Sequence, residues 1–146
     1  MTGVQTCALP ISTKQEEISE IVNKCIIDYA PYTLKVVNIG TFPNIYRPRV
    51  IWTGIKDKNK TTTNLIKVLD DEFNKIGFKK EKSYVPHITL GRVKNINNKE
   101  DLSNILKGLK KEYHGKMEVK KICLKSSTLT PDGPIYKNIE EFYLWI

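Results

Sequence analysis

Tyr84-Val-Pro-His-Ile-Thr-Leu-Gly-Arg92 is the stretch on which the reading of this 146-residue chain turns. It predicts a strand over 84–93. Side chains alternate between the faces of a strand, so His87 and Thr89 project together while Ile88 and Leu90 point toward a core. The strand rise sets the imidazole and the hydroxyl about 6.5–7 Å apart on one open face. Strict alternation sends Arg92 to the core face, unless a bulge at Gly91 re-aims it. Histidine is the side chain that exchanges a proton near neutral pH, and a hydroxyl beside it can donate to a phosphoryl oxygen. The same residue types also suit a purely structural strand, and a lone His-x-Thr does not choose between the two.

Upstream, Thr13 and Glu16 have the spacing of a capping box. Ile18, Ile21, Val22, Cys25 and Ile26 then recur at helical spacing and predict a helix over 13–28, ended by Pro31. Strands are expected over 33–39 and 49–55, with a two-proline loop at 40–48 between them. The threonines at 61–63 can cap a second helix carrying Leu65, Ile66, Leu69, Phe73 and Ile76 on one face, with Gly77 as its stop. Downstream of the central strand, Asn97 and Asn98 offer caps for a third helix with Leu102, Ile105, Leu106 and Leu109 inward. A longer strand is expected over 117–124, where the apolar phase slips between Val119 and Ile122 and suggests a bulge. Thr130-Pro-Asp-Gly133 has the residues of a tight turn, and short strands at 134–138 and 141–145 follow it. Hairpin-length links outnumber crossovers, which makes the fold α+β with a largely antiparallel sheet.

With 40% hydrophobic and 27% charged residues the chain is ordinary for a folded domain, which excludes global disorder, collagen-like repeats and coiled coil. No apolar run approaches the roughly 20 residues of a membrane helix, so no membrane partner is expected. The 24 Lys+Arg against 16 Asp+Glu leave a net charge of +8 and favour a polyanionic partner, nucleic acid first. An AT-rich coding bias would produce the same lysines. Arg47, Arg49 and Arg92 are the only arginines, and the guanidinium is the better fork for a phosphate. Cys7, Cys25 and Cys123 are odd in number and form no CxxC pair, so a disulfide framework and a zinc site are both unexpected, and the reading is a reduced, cytoplasmic protein. His114, in Lys110-Lys-Glu-Tyr-His-Gly115, reads as a solvated residue at the end of the third helix.

Three blocks in order, Gly40-Thr-Phe-Pro43 with Arg47-Pro-Arg-Val-Ile-Trp-Thr-Gly54, then Pro86-His-Ile-Thr-Leu-Gly-Arg92, then Leu129-Thr-Pro-Asp-Gly-Pro-Ile-Tyr136, resemble the bacterial and archaeal RNA 2′,3′-cyclic phosphodiesterases. That family, also called 2′–5′ RNA ligases, belongs to the two-histidine phosphoesterases. The resemblance covers nearly everything from Ser12 onward. It implies a bilobal α+β fold with two His-x-Thr strands meeting at a cleft. It further implies a hydrolase without metal or cofactor and opening of RNA cyclic phosphate ends to 2′-phosphomonoesters. His87-Ile88-Thr89-Leu90 matches the second motif, whose histidine accepts a proton and whose threonine holds the phosphate. Arg92 matches the arginine that follows it, a phosphate contact. The family also implies a monomer acting on RNA 3′ ends or on oligonucleotide or nucleotide cyclic phosphates.

One departure stands out. The first His-x-Thr should precede the capping-box helix, where this chain has Ala8-Leu-Pro-Ile-Ser12, and no histidine occurs before His87. Residues 1–11 resemble a translated sequencing-adapter read, with a disordered native tail as the other reading. The expectation is therefore a non-native segment at 1–11 and a single domain of this family at 12–146. On this reading the domain is a fragment with its N-terminal part missing, its first lobe incomplete and its activity impaired. Two other functions fit the same residues. One is a non-catalytic module that binds RNA ends through Thr89, Arg92 and lysines. The other is a related two-histidine enzyme acting on a small nucleotide cyclic phosphate. Phe42 and Tyr84 are candidates to stack a terminal base.

Overall fold

The computed structural model describes residues 14–145. The expectations for residues 1–11, for the Thr13 cap and for the place of a first motif lie outside the described residues. The elements run α1 (Gln15–Ile26), β1 (Tyr32–Phe42), β2 (Val50–Lys56), α2 (Thr61–Lys75), β3 (His87–Arg92), α3 (Lys99–Gly108), β4 (Tyr113–Val119), β5 (Lys121–Thr130) and β6 (Gly133–Tyr143). The fold is α+β. The described chain divides into two compact units, one of residues 33–63 and 83–117, the other of 14–32, 64–82 and 118–145.

The second of these units is built on helix amphipathicity. Ile18, Val22, Cys25 and Ile26 of α1 are buried, the one-face spacing that a 3.6-residue turn requires. Three of them join Leu65, Phe142 and Leu144 in a core against which Leu69, Phe73, Ile122 and Leu124 pack. Gly77, at φ +98°, ends the segment after α2 as its sequence suggests. The start of α2 differs from expectation. The threonine run is itself helical, and Asp57 caps it by accepting from the Thr61 and Thr62 amides at 2.5 and 3.1 Å. Strands β5 and β6 form one long antiparallel hairpin closed at Thr130 and Gly133, so the two short strands expected after the turn are a single strand. Gly133 takes φ +126°, and Thr130 Oγ1 donates to its carbonyl at 2.6 Å.

In the other unit, four strands lie in the order β3-β2-β1-β4, with β1/β2 and β2/β3 antiparallel. Leu34 of β1 is fully buried, a contribution of about 1.5–3 kcal/mol. Asn98 caps α3, its side-chain oxygen accepting from the Glu100 and Asp101 amides. Leu106 and Ser103 face inward, whereas Ile105 and Leu109 are 60% and 40% exposed, so the inward face is rotated from the one expected. The phase slip near residue 120 is not a bulge within one strand. It marks the passage from β4, in the four-stranded sheet, to β5, in the hairpin, with the Lys120 carbonyl taken up by the Leu144 amide. His114 is likewise not at a helix end: α3 stops at Gly108, and His114 is an exposed residue of β4.

Candidate active site

The candidate site grows from pairing on the two sides of β2. Val50, Trp52 and Gly54 alternate onto one face of this regular strand. Across β3 their partners are Arg92, Thr89 and His87, and across β1 the partners of Val50 and Trp52 are Phe42 and Gly40. The count on β3 is uneven. Ile51 pairs with Gly91 and Trp52 with Thr89, which leaves Leu90 as an extra, unpaired residue. This bulge shifts the pleat by one, so Arg92 joins His87 and Thr89 on one face instead of turning to the opposite one. Leu90 itself is 57% exposed rather than in the core.

On that face the His87 ring is held in aromatic walls. Phe42 meets it edge-on at 5.2 Å and 81°, and Trp52 lies at 5.8 Å. Phe42 and Trp52 stack at 5.1 Å and 31°. The indole can lie flat only because its cross-strand partner is glycine: a Cβ on Gly40 would sit 2.2 Å from the Trp52 ring. His87 Nδ1 is 2.7 Å from the Val85 carbonyl. A carbonyl only accepts, so Nδ1 carries the proton of this bond, and the lone pair of a neutral ring sits on Nε2. The Trp52 Nε1–H is buried without a protein acceptor.

The surroundings suit an anion. Strands β1, β2 and β3 contain no Asp or Glu. Lys35 and Lys56 are paired beyond Val37 and Gly54 and share the His87 face, with Arg92 at its other end. Among the described residues the ion pairs all use lysines, and Arg47, Arg49 and Arg92 have no carboxylate partner. Of the other residues singled out from sequence, Phe42 is part of the wall and Tyr84 precedes β3. His114 is apart: β1 and β2 lie between its strand and β3. At about 4.8 Å per strand the two histidine-bearing strands are roughly 14 Å apart, too far to share one phosphorus. Trp52, Gly40 and the Val85 carbonyl were not assigned a part from sequence. The alternation Gly40-x-Phe42 opposite Val50-x-Trp52 was the signal, legible only once β1 and β2 are paired.

A family model described as LigT-like phosphoesterase matches residues 55–136, the span that holds β3. An RNA 2′,3′-cyclic phosphodiesterase of Methanocaldococcus jannaschii is 43% identical over 128 residues, covering 88% of this chain and 72% of the relative. Another, of Methanothermobacter thermautotrophicus, is 39% identical over 131 residues, with 90% and 71% covered. Among solved structures, a Thermus thermophilus protein matches with a TM-score of 0.77 at 22% identity over 95% of this chain and 74% of that one. Escherichia coli LigT complexed with 3′-AMP matches at 0.66 and 18%, over 90% and 68%. The structural matches establish the fold, and the sequence matches establish descent: this chain belongs to the LigT-like phosphoesterase family.

Proposed function

We propose that this chain acts on RNA ends carrying a 2′,3′-cyclic phosphate, with His87, Thr89 and Arg92 as its phosphate-handling residues. The observation that carries the reading is the bulge at Leu90, which brings a histidine with a free Nε2, a hydroxyl and an unpaired guanidinium onto one face without carboxylates. The names of the sequence relatives support the choice of substrate.

In the proposed reaction His87 Nε2 takes a proton from water as the water oxygen bonds to phosphorus. The P–O3′ bond breaks, O3′ leaves with the bonding pair and is protonated, and a 2′-phosphomonoester remains. Thr89 donates to a phosphoryl oxygen and Arg92 offers its fork to the others. The chain contains one other histidine, His114, and its strand is too distant to protonate O3′. Solvent then supplies that proton, and turnover is slow. No metal or cofactor takes part.

The test is single-turnover hydrolysis of an RNA with a 2′,3′-cyclic phosphate, the product read by phosphorus NMR. Expected are a 2′-phosphate product, a rate unaffected by EDTA, and a fall of about 10²–10⁴-fold in His87→Ala. Thr89→Ala should cost less, about 1.5–3 kcal/mol for a hydrogen bond to a charged oxygen. A 3′-phosphate product, inhibition by EDTA, or an undiminished His87→Ala rate would sink the mechanism. The single histidine on this face also favours a second reading, retention of the phosphate end without turnover. Tight binding of cyclic ends with hydrolysis at the uncatalysed rate would select it.

A further inference from the structure

A concavity outside the candidate active site lies between the β1–β2 loop and α3. It measures about 310 Å³ and is lined by Tyr46, Lys99, Glu100, Ser103, Asn104 and Lys107. The size is at the lower end of the roughly 300–1,000 Å³ typical of small-molecule sites. Its α3 residues recur at helical spacing and form one strip along the helix. Ser103 is 7% exposed, and its Oγ has no hydrogen-bond partner in the protein. That oxygen is itself closed to solvent, so Ser103 forms the floor beneath the concavity, and the contacts to an occupant come from the other lining residues.

The other walls say what kind of group. Tyr46 is 66% exposed, yet it is not loosely held. Asn44 Oδ1 accepts from the Tyr46 and Arg47 amides, both at 3.0 Å, and so fixes the turn that presents the ring. Lys107 Nζ stands 5.2 Å over that ring, an exposed cation–π contact weak enough to yield to a stacked base. Cations alone would suit a bare phosphate, but Glu100 is acidic. A carboxylate accepts from exocyclic amines of bases, while the exposed Asn104 amide offers both donor and acceptor to a base edge. One aromatic face, two lysines and a polar edge together make the combination that binds single-stranded nucleic acid.

We propose that this concavity holds a nucleotide of the RNA strand upstream of its 3′ end, the base stacked on Tyr46 and its phosphate met by Lys99 and Lys107. The proposal rests on the reading of the chain as acting at RNA ends, and adds a subsite for the body of the strand.

The test is fluorescence-anisotropy titration of the 146-residue chain with a labelled short single-stranded RNA ending in a 2′,3′-cyclic phosphate. Binding of the mononucleotide 2′,3′-cyclic AMP is measured in parallel by calorimetry. Tyr46→Ala should weaken the oligonucleotide about 5- to 100-fold, the range of base–aromatic stacking, and leave the mononucleotide unchanged. Lys107→Gln should flatten the slope of log Kd against log salt by about 0.7 for the oligonucleotide alone. Both residues are exposed, so both variants should keep the circular dichroism of the parent. A mononucleotide that binds, with an oligonucleotide that binds no more tightly or ignores Tyr46→Ala, overturns the subsite and leaves the end-directed function standing. Equal weakening of both probes also overturns it. Binding of neither probe overturns both readings.

Discussion

At the scale of single residues, the site depends on a position that has no side chain. Gly40 carries Trp52 flat against it, and Trp52 in turn backs the His87 ring. Gly40→Ala would place a carbon within 2.2 Å of the indole, so the ring must swing away. Overpacking of this kind typically costs about 1–3 kcal/mol. The expected outcome is a lowered melting temperature, a changed Trp52 fluorescence maximum and a loss of whatever His87-dependent activity the parent shows. An unchanged spectrum and melt would mean that the indole does not need the glycine. The phase of His87 and Thr89 was legible from strand alternation alone. For Arg92 the sequence left two outcomes open, the core face or a bulge at Gly91 that re-aims it. The pairing with β2 decides for the bulge, with Leu90 beside that glycine as the unpaired residue. A glycine inside a strand marks where a bulge can form, but which residue is left unpaired is settled only by the pairing of the two strands.

At the scale of elements, helices announced themselves and strand ends did not. The apolar period of α1 and α2 and the Asn98 cap of α3 are properties of contiguous sequence. The division between β4 and β5 is set by which sheet each joins, so its trace in the sequence, the phase slip, reads equally well as a bulge. The hairpin β5–β6 carries an electrostatic consequence. Glu141 accepts from Lys121 Nζ at 2.8 Å and from the Tyr143 hydroxyl at 2.9 Å, and these bonds hold its carboxyl below the ordinary 4.5, Lys121 first. A carboxyl depressed on folding stabilises above its unfolded pKa, and that stability is lost as pH falls through the folded value. The chain should therefore melt higher than Glu141→Gln at neutral pH, and the gap should close as the pH falls through and below the ordinary carboxylate range. Thermal melts of both proteins from neutral to strongly acidic pH check this. A gap that is constant with pH would assign it to packing instead.

At the scale of the whole molecule, family membership was legible because three blocks keep their order along the chain. The number of histidines was equally legible, and it bears on rate. The M. jannaschii relative offers the comparison under one set of conditions. If a second proton-transfer group is missing here, this chain should turn over a cyclic-phosphate RNA about 10²–10⁴-fold more slowly. Steady-state rates of the two purified proteins on one substrate decide it, and comparable rates would mean that another residue supplies the proton.

The interleaving of the two units has a bearing on synthesis. The core that joins Ile18, Val22, Ile26 and Leu65 is completed by Phe142, 77 residues beyond Leu65. At roughly 5–20 residues per second, the ribosome needs about 4–15 s to cover that distance. For that interval the apolar faces of the first two helices are outside the ribosome without the strand that finishes their core. Over that interval they are surfaces open to a nascent-chain chaperone.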